Sequence, residues 1–381
     1  MRCFVTFSWQ VGGAPFSAAA PAFASYDWAM PIPEPLVPRL SVQAVPGTVA
    51  DSVSRILPDT VSKLADQVWA FAALTAATES GVLGALTEPI AAADLATRTG
   101  VPVSMVRGLL DVLAALGLVA WDGDVVTPGR ELGATASSRL GLSSLRDDLR
   151  RTFGQCTGLI ADARSGSLAP GWRHASPDII RAQGSFARVH TDGLLLRELF
   201  PHLGDLGERL DRPGARALDV GSGAAGNAIG FCRAFPHLEV VGLEPFTPSF
   251  AEGRLAVIEA ELEDRIELRQ ERVETLVEKS VYDFVWLPQM FLDDDTLAQG
   301  LETCVRALRP GGWLISAWIC DGTSRGIPAA VARLRDVAFG GEARGQADIA
   351  ARLEAAGLEE ITSTNPALGV GALAGRRLAT D

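Results

Sequence analysis

The sequence predicts an α/β fold with a mainly parallel sheet in its C-terminal half, preceded by a smaller, mostly helical domain. Three observations carry this. Ala217-Leu218-Asp219-Val220 is followed by the small-residue turn Gly221-Ser222-Gly223-Ala224-Ala225-Gly226, a helical pattern to Phe235, and a second apolar run, Leu238 to Leu243, closed by Glu244. The alternation of strand and helix then continues to the C terminus. Upstream, between residues 51 and 140, helical periodicity dominates and is interrupted by one hairpin signal.

Taken in order, residues 1–50 are expected to be a disordered extension, because Pro15, Pro21, Pro35, Pro38 and Pro46 interrupt every periodic pattern. Met1-Arg2 and Ala22-Phe23-Ala24 give this stretch a faint secretory look, but Pro15 breaks its apolar region; Met30 is an alternative start. Residues 61–79 form a helix with apolar residues on more than one face. A short helix over 91–99, the turn Gly100-Val101-Pro102 and an amphipathic helix over 104–116 follow. Leu118 to Trp121 and Val125 to Thr127 flank Asp122-Gly123-Asp124 as a two-stranded wing. This winged helix-turn-helix layout spans 51–140. As a DNA reader it lacks charge, since Arg107 is the one basic residue between Val101 and Leu118. A dimerisation module fits better.

Residues 141–211 read as a helical linker with a loop from Ser165 to Pro177 and a helix from Ala182 to Leu203. Beyond Glu244 the pattern predicts helices over 248–263, 273–279, 296–308, 327–339 and 347–356. Strands are predicted over 265–269, 282–287 and 313–318, with a closing antiparallel pair at 360–364 and 371–378. Tyr282 to Leu287 is apolar except for Asp283, which suits a sheet covered on both faces.

Composition narrows the function. In 381 residues, 48% hydrophobic, there is room for two cores. A net charge of −12 argues against a general nucleic-acid binder. Five scattered cysteines without a C-x-x-C pair and four histidines at unrelated spacings predict no metal site and a reducing, cytoplasmic setting. No apolar run reaches the roughly 18 residues of a spanning helix.

The turn at Gly221 lets the backbone approach a ligand closely, and Glu244 at the end of the next strand can accept hydrogen bonds from ribose hydroxyls. Gly221, Gly223 and Gly226 also satisfy the G-x-G-x-x-G spacing of dinucleotide dehydrogenases, but Asp219 stands two residues ahead of the first glycine. In that respect the segment resembles motif I of class I S-adenosylmethionine (SAM) methyltransferases, acid-x-Gly-x-Gly-x-Gly. Asp219, Gly221 and Gly223 match, and Ala225 replaces the third glycine. Leu308-Arg309-Pro310-Gly311-Gly312 before a strand is a second landmark of that family. The resemblance covers 212–381 and implies a Rossmann-like seven-stranded sheet of order 3-2-1-4-5-7-6.

With its winged-helix front, the whole chain is similar to small-molecule O-methyltransferases, which implies a homodimer and an aromatic or polyketide-like secondary metabolite as acceptor. C-, N- and carboxyl-methylation, or a relative with diverted catalysis, remain alternatives. By this resemblance Asp219, Gly221, Ser222 and Gly223 surround the methionyl part of SAM, and Glu244 and Pro245 take the ribose. Glu271, Arg272 and Val273 face the adenine, with Leu287 and Pro288 closing the crevice. Gln183, Ser185, Phe186, Arg188 and His190 on the connecting helix, and Gln289 and Phe291 after the fourth strand, are the candidates for the acceptor side. Plant-type relatives carry a histidine base in a phrase ending His-Asp-x-x-Asp, and here Leu292 holds that place. His190 and Asp293 are the remaining catalytic candidates, unless the acceptor needs little base. Asp293 to Asp295 also suit the N-terminus of the helix that follows.

Overall fold

The structure, a computed structural model, describes residues 59–319, 325–364 and 370–378, so the expected extension over 1–50 lies outside the described residues. The chain opens with α1 (Asp59–Glu79), α2 (Val82–Ala85), β1 (Ile90–Ala91), α3 (Ala92–Thr99) and α4 (Val103–Ala115). In α4, Val106, Leu109, Leu110 and Leu113 recur at helical spacing and are all buried. They meet Leu83, Leu95 and Val126 in a core separate from those of the sheet. β2 (Val119–Asp122) and β3 (Val125–Pro128) pair antiparallel, with Asp122 opposite Val125 around Gly123 in the left-handed region. β1 adds a third strand, in the order β1-β3-β2. Two residues are too few to show a period, which is why this strand is not legible in the sequence.

After α5 (Arg130–Ala136), the 27-residue α6 (Arg139–Ser165) ends on the left-handed Gly166. α7 (Pro177–His190) starts earlier than the periodicity suggests, with Pro177 at its first position. It also ends earlier, because the chain widens into a π-helical stretch from Thr191 to Leu199. A short α8 (Leu206–Leu210) leads into the sheet.

That sheet holds β4 (Arg216–Val220), β5 (Glu239–Leu243), β6 (Ile266–Arg269), β7 (Tyr282–Leu287), β8 (Leu308–Trp318), β9 (Glu359–Ser363) and β10 (Gly371–Arg376). Their order is β6-β5-β4-β7-β8-β10-β9, which is 3-2-1-4-5-7-6 counted from β4. β10 runs antiparallel to both its neighbours, and the other pairings are parallel. Alternate residues divide between two cores: Ala217, Phe284, Trp286 and Ile315 on one face, Leu218, Val220, Val285 and Leu314 on the other. The helices that cover them are α9 (Gly226–Ala234), α10 (Thr247–Glu259), α11 (Asp294–Ala307), α12 (Ile327–Phe339) and α13 (Gln346–Ala355).

Two local expectations are corrected. The helix predicted over 273–279 shrinks to a single 3₁₀ turn, Val273–Thr275, because Leu276 turns extended and buries in the core. The Pro310-Gly311-Gly312 phrase does not separate helix from strand. β8 begins at Leu308, and residues 309–312 bulge out between the Tyr282–Leu308 and Phe284–Trp313 pairs, with Gly311 at φ 77°. Asp283, the lone acid of β7, is explained by its neighbours: Oδ2 accepts from the Arg216 N–H at 3.1 Å and from Arg309 Nη1 at 2.5 Å. No helix among the described residues is long and apolar enough to cross a membrane.

Candidate active site

The carboxyl ends of β4, β5 and β6 and the segment after β7 open into one cavity of about 650 Å³. This is the crevice at which an open α/β sheet reverses strand order. After β4, Gly221 and Gly223 take φ of 63° and 54°, a region that costs glycine little, and Ala225 follows at 58°. The turn is held from below by Glu244. Its Oε2 accepts the Gly223 N–H and its Oε1 the Phe246 N–H, each at 2.8 Å. Burial raises the Glu244 pKa, and these two bonds pull it back. A carboxylate has about four acceptor positions, so Glu244 keeps capacity for further donors.

Asp219 lies under the turn, fully buried, and does not line the cavity. Burial pushes its pKa up to about 7, against the Asn227 side chain and the Ala228 N–H, which lower it. Ser222 does line the cavity, and its buried hydroxyl has no hydrogen-bond partner among the described residues. Pro245, Glu271, Arg272, Val273 and Pro288 line it as well. Arg272 is tied to Glu274 at 2.7 Å, and Glu271 accepts from the Thr275 hydroxyl at 3.2 Å.

α7 supplies the opposite wall. Gln183, Phe186 and His190 lie on the helix face turned to the cavity, whereas Ser185 and Arg188 fall on other faces of the same helix and do not line it. α7 crosses the glycine turn at very short range: a Cβ on Gly226 would sit 2.0 Å from the Gly184 carbonyl oxygen. His190 stacks near Phe186 and beside Trp286, each 6.3 Å away. Its Nε2 is buried without a partner among the described residues. Burial drops its pKa to about 4, although a bond to the Val370 backbone opposes this, so the imidazole is neutral at pH 7.

The loop after β7 departs from expectation in part. Phe291, Leu292 and Asp293 reach the cavity, but Leu287 packs into the core and Gln289 is completely buried behind the wall. The cause is Arg344. Its Nη1 donates to Gln289 Oε1 at 2.9 Å and to the Leu292 carbonyl at 3.0 Å, while its Nη2 pairs with Asp294 at 2.8 Å. Asp293 Oδ1 accepts the Thr296 N–H at 2.8 Å and so caps α11, and this bond lowers the Asp293 pKa. Among the described residues no group of three or more histidine, cysteine or acidic side chains could hold a metal.

Sequence reading missed the rest of the wall. Trp172, in the loop before α7, meets Phe291 and Phe339 edge-on at 5.8 and 5.6 Å, and those two rings stack at 5.4 Å. Arg335 lies one turn before Phe339 on α12. A tryptophan amid Pro170-Gly171 and a helix after the last parallel strand carry no motif, so only the fold could bring them here.

Residues 218–314 match the family model for a methyltransferase domain, and residues 62–144 match that for the O-methyltransferase dimerisation domain. The chain has no significant match among curated protein sequences. Solved structures of similar fold include the S-adenosylmethionine-dependent methyltransferase SibL in its apo form, 22% identical over 84% of this chain and 99% of that one, with a TM-score of 0.62. The mitomycin 7-O-methyltransferase MmcR is 23% identical over 87% and 100%, with a TM-score of 0.52. Human N-acetylserotonin methyltransferase in complex with SAM is 17% identical over 87% and 100%, with a TM-score of 0.61. At these identities the likeness is one of fold.

Proposed function

We infer that this chain, which carries an O-methyltransferase dimerisation domain ahead of a methyltransferase domain, is a SAM-dependent methyltransferase that methylates a small aromatic acceptor, with a hydroxyl oxygen as the favoured atom. One observation carries the reading. The glycine turn and Glu244 converge at the strand ends on a cavity whose far wall is aromatic.

The residues present suit the cofactor. Gly221 and Gly223 leave the turn bare of side chains, Ser222 offers an unpartnered hydroxyl, and Glu244 has free acceptor capacity for ribose hydroxyls. Glu271, Arg272 and Val273 line the cavity and would flank the adenine. When bound, SAM supplies a methyl group on a sulfonium centre. The protein's part is to hold the acceptor in line with it and to keep water out. Trp172, Phe186, Phe291 and Phe339 would grip an aromatic ring. His190 would accept a hydrogen bond from the acceptor hydroxyl. A buried imidazole with a pKa near 4 is a poor full proton acceptor, so orientation outweighs proton abstraction here. Asp293, committed to its cap, is the weaker candidate.

Calorimetric titration with S-adenosylhomocysteine, with NADH as control, tests the reading. The native protein should bind the former and not the latter. Glu244→Ala should weaken binding by at least roughly tenfold, as expected for losing charge-assisted hydrogen bonds. Binding of NADH in its place would return the fold to the dehydrogenases.

A further inference from the structure

Arg335 is the cation of the aromatic wall. Its guanidinium lies 5.7 Å from the centre of the Phe339 ring, and both side chains line the cavity. Phe339 is in turn packed on Phe291 and Trp172, so the charge stands at the border of a three-ring cluster. Among the described residues Arg335 makes no hydrogen bond or ion pair. The neighbouring acid Asp148 is taken by Arg151 at 2.5 Å, and the Arg151 guanidinium is itself laid over Phe186 at 4.1 Å. Burial, then repulsion by Arg151, pulls the Arg335 pKa below its usual range, against the attraction of Asp336 and Asp148. A guanidinium in such surroundings with no hydrogen-bonded counter-ion among the described residues is costly, and an anion would relieve that cost.

The other charges of the cavity give it a polarity. Glu244, Glu271 and Asp293 lie toward the strand ends and would repel an anion, and Arg272 there is already neutralised by Glu274. An anionic substituent is therefore favoured only beside Arg335. We propose that the acceptor is an aromatic carboxylate and that Arg335 is the specificity-determining residue that binds its carboxylate, with the ring held by Trp172, Phe291 and Phe339. The planar fork of a guanidinium matches a carboxylate through two parallel hydrogen bonds. The proposal deepens the methyltransferase reading and rests on it for the word acceptor.

The test uses three probes, salicylate, 3-hydroxyanthranilate and 3-hydroxy-2-naphthoate, each against its methyl ester. Binding is followed by tryptophan fluorescence, since Trp172 and Trp286 line the cavity, with and without S-adenosylhomocysteine. At least one free acid should bind roughly tenfold or more tighter than its ester, the scale of a charge-assisted hydrogen bond. Arg335→Gln should erase that difference while leaving S-adenosylhomocysteine affinity unchanged and the melting temperature no lower than that of the native protein. Arg333→Gln, at an exposed position of the same helix, should retain it. If Arg335→Gln fails to fold, Arg335→Lys keeps the charge without the fork and should weaken acid binding while sparing the ester. The proposal is overturned if no free acid binds, if acid and ester bind alike, or if the preference survives in Arg335→Gln. Loss of S-adenosylhomocysteine binding in the native protein would instead count against the methyltransferase reading, while the acid-to-ester comparison without it still decides Arg335.

Discussion

At the scale of single residues, His190 and Asp219 are ionisable groups buried by the fold, the first at the cavity wall and the second beneath the turn, and their pKa values move in opposite directions. His190 has a folded pKa near 4 against an unfolded value of 6.5. The folded state therefore binds fewer protons between those values, and its stability falls as pH drops from 6.5 toward 4. Relative to His190→Asn, the native protein should lose about 2–3 kcal/mol between pH 7.5 and 4.5, read from urea unfolding at each pH. Parallel pH profiles for the two proteins would contradict a neutral, buried His190. Asp219, raised to about 7 from 3.8, has the opposite sign, and its share of stability is lost as pH rises through that range. The sequence drew attention to both residues by position. It could not show that both are buried, because burial depends on partners that arrive from elsewhere in the chain. Gln289 makes the same point: its place after the fourth strand suggests the cavity mouth, but Arg344, 55 residues on, draws it inward.

At the scale of elements, the strands were the most legible part. Apolar runs bounded by glycine or proline gave β4, β5 and β7 to within a residue or two, because a strand covered on both faces must be apolar throughout. Less legible were elements set by contacts. The π-helical stretch after His190 and the bulge of residues 309–312 have no periodic signature. The loop between β7 and α11 is shaped by one side chain. Arg344, 3% exposed at its side chain, ties Gln289, Leu292 and Asp294 together. Arg344→Met should cost roughly 2–4 kcal/mol, since it leaves two acceptors, Gln289 Oε1 and the Leu292 carbonyl, without their donor while Asp294 keeps Arg352 at 3.0 Å, and should lower the melting temperature accordingly. Asp294→Asn, which leaves the carbonyl contacts intact, should cost less than half as much. Equal losses for the two variants would mean that the ion pair, not the clamp on the loop, holds this segment.

At the scale of the whole molecule, α1 carries a consequence for assembly. Leu64, Val68 and Trp69 project from it with 53%, 63% and 77% of their surface exposed, an apolar stripe on the segment that matches the dimerisation domain. We expect a homodimer through this face. Sedimentation equilibrium should give twice the chain mass for the native protein and a monomer for Trp69→Asp. A native monomer at micromolar concentration would refute it.

The crossing of α7 over the glycine turn bears on how such a molecule can change. Gly184 and Gly226 touch backbone to backbone, so the wall of the cavity nearest the turn has no room for a side chain of any size. A mutation there would disturb both binding regions at once. The rings and the cation supplied by the 165–177 loop and α12 meet no such restriction, and substitutions among them alter one end of the cavity alone. A lineage descending from this protein would thus be free to explore new acceptors through Trp172, Arg335 and Phe339, while the turn beneath α7 stays fixed.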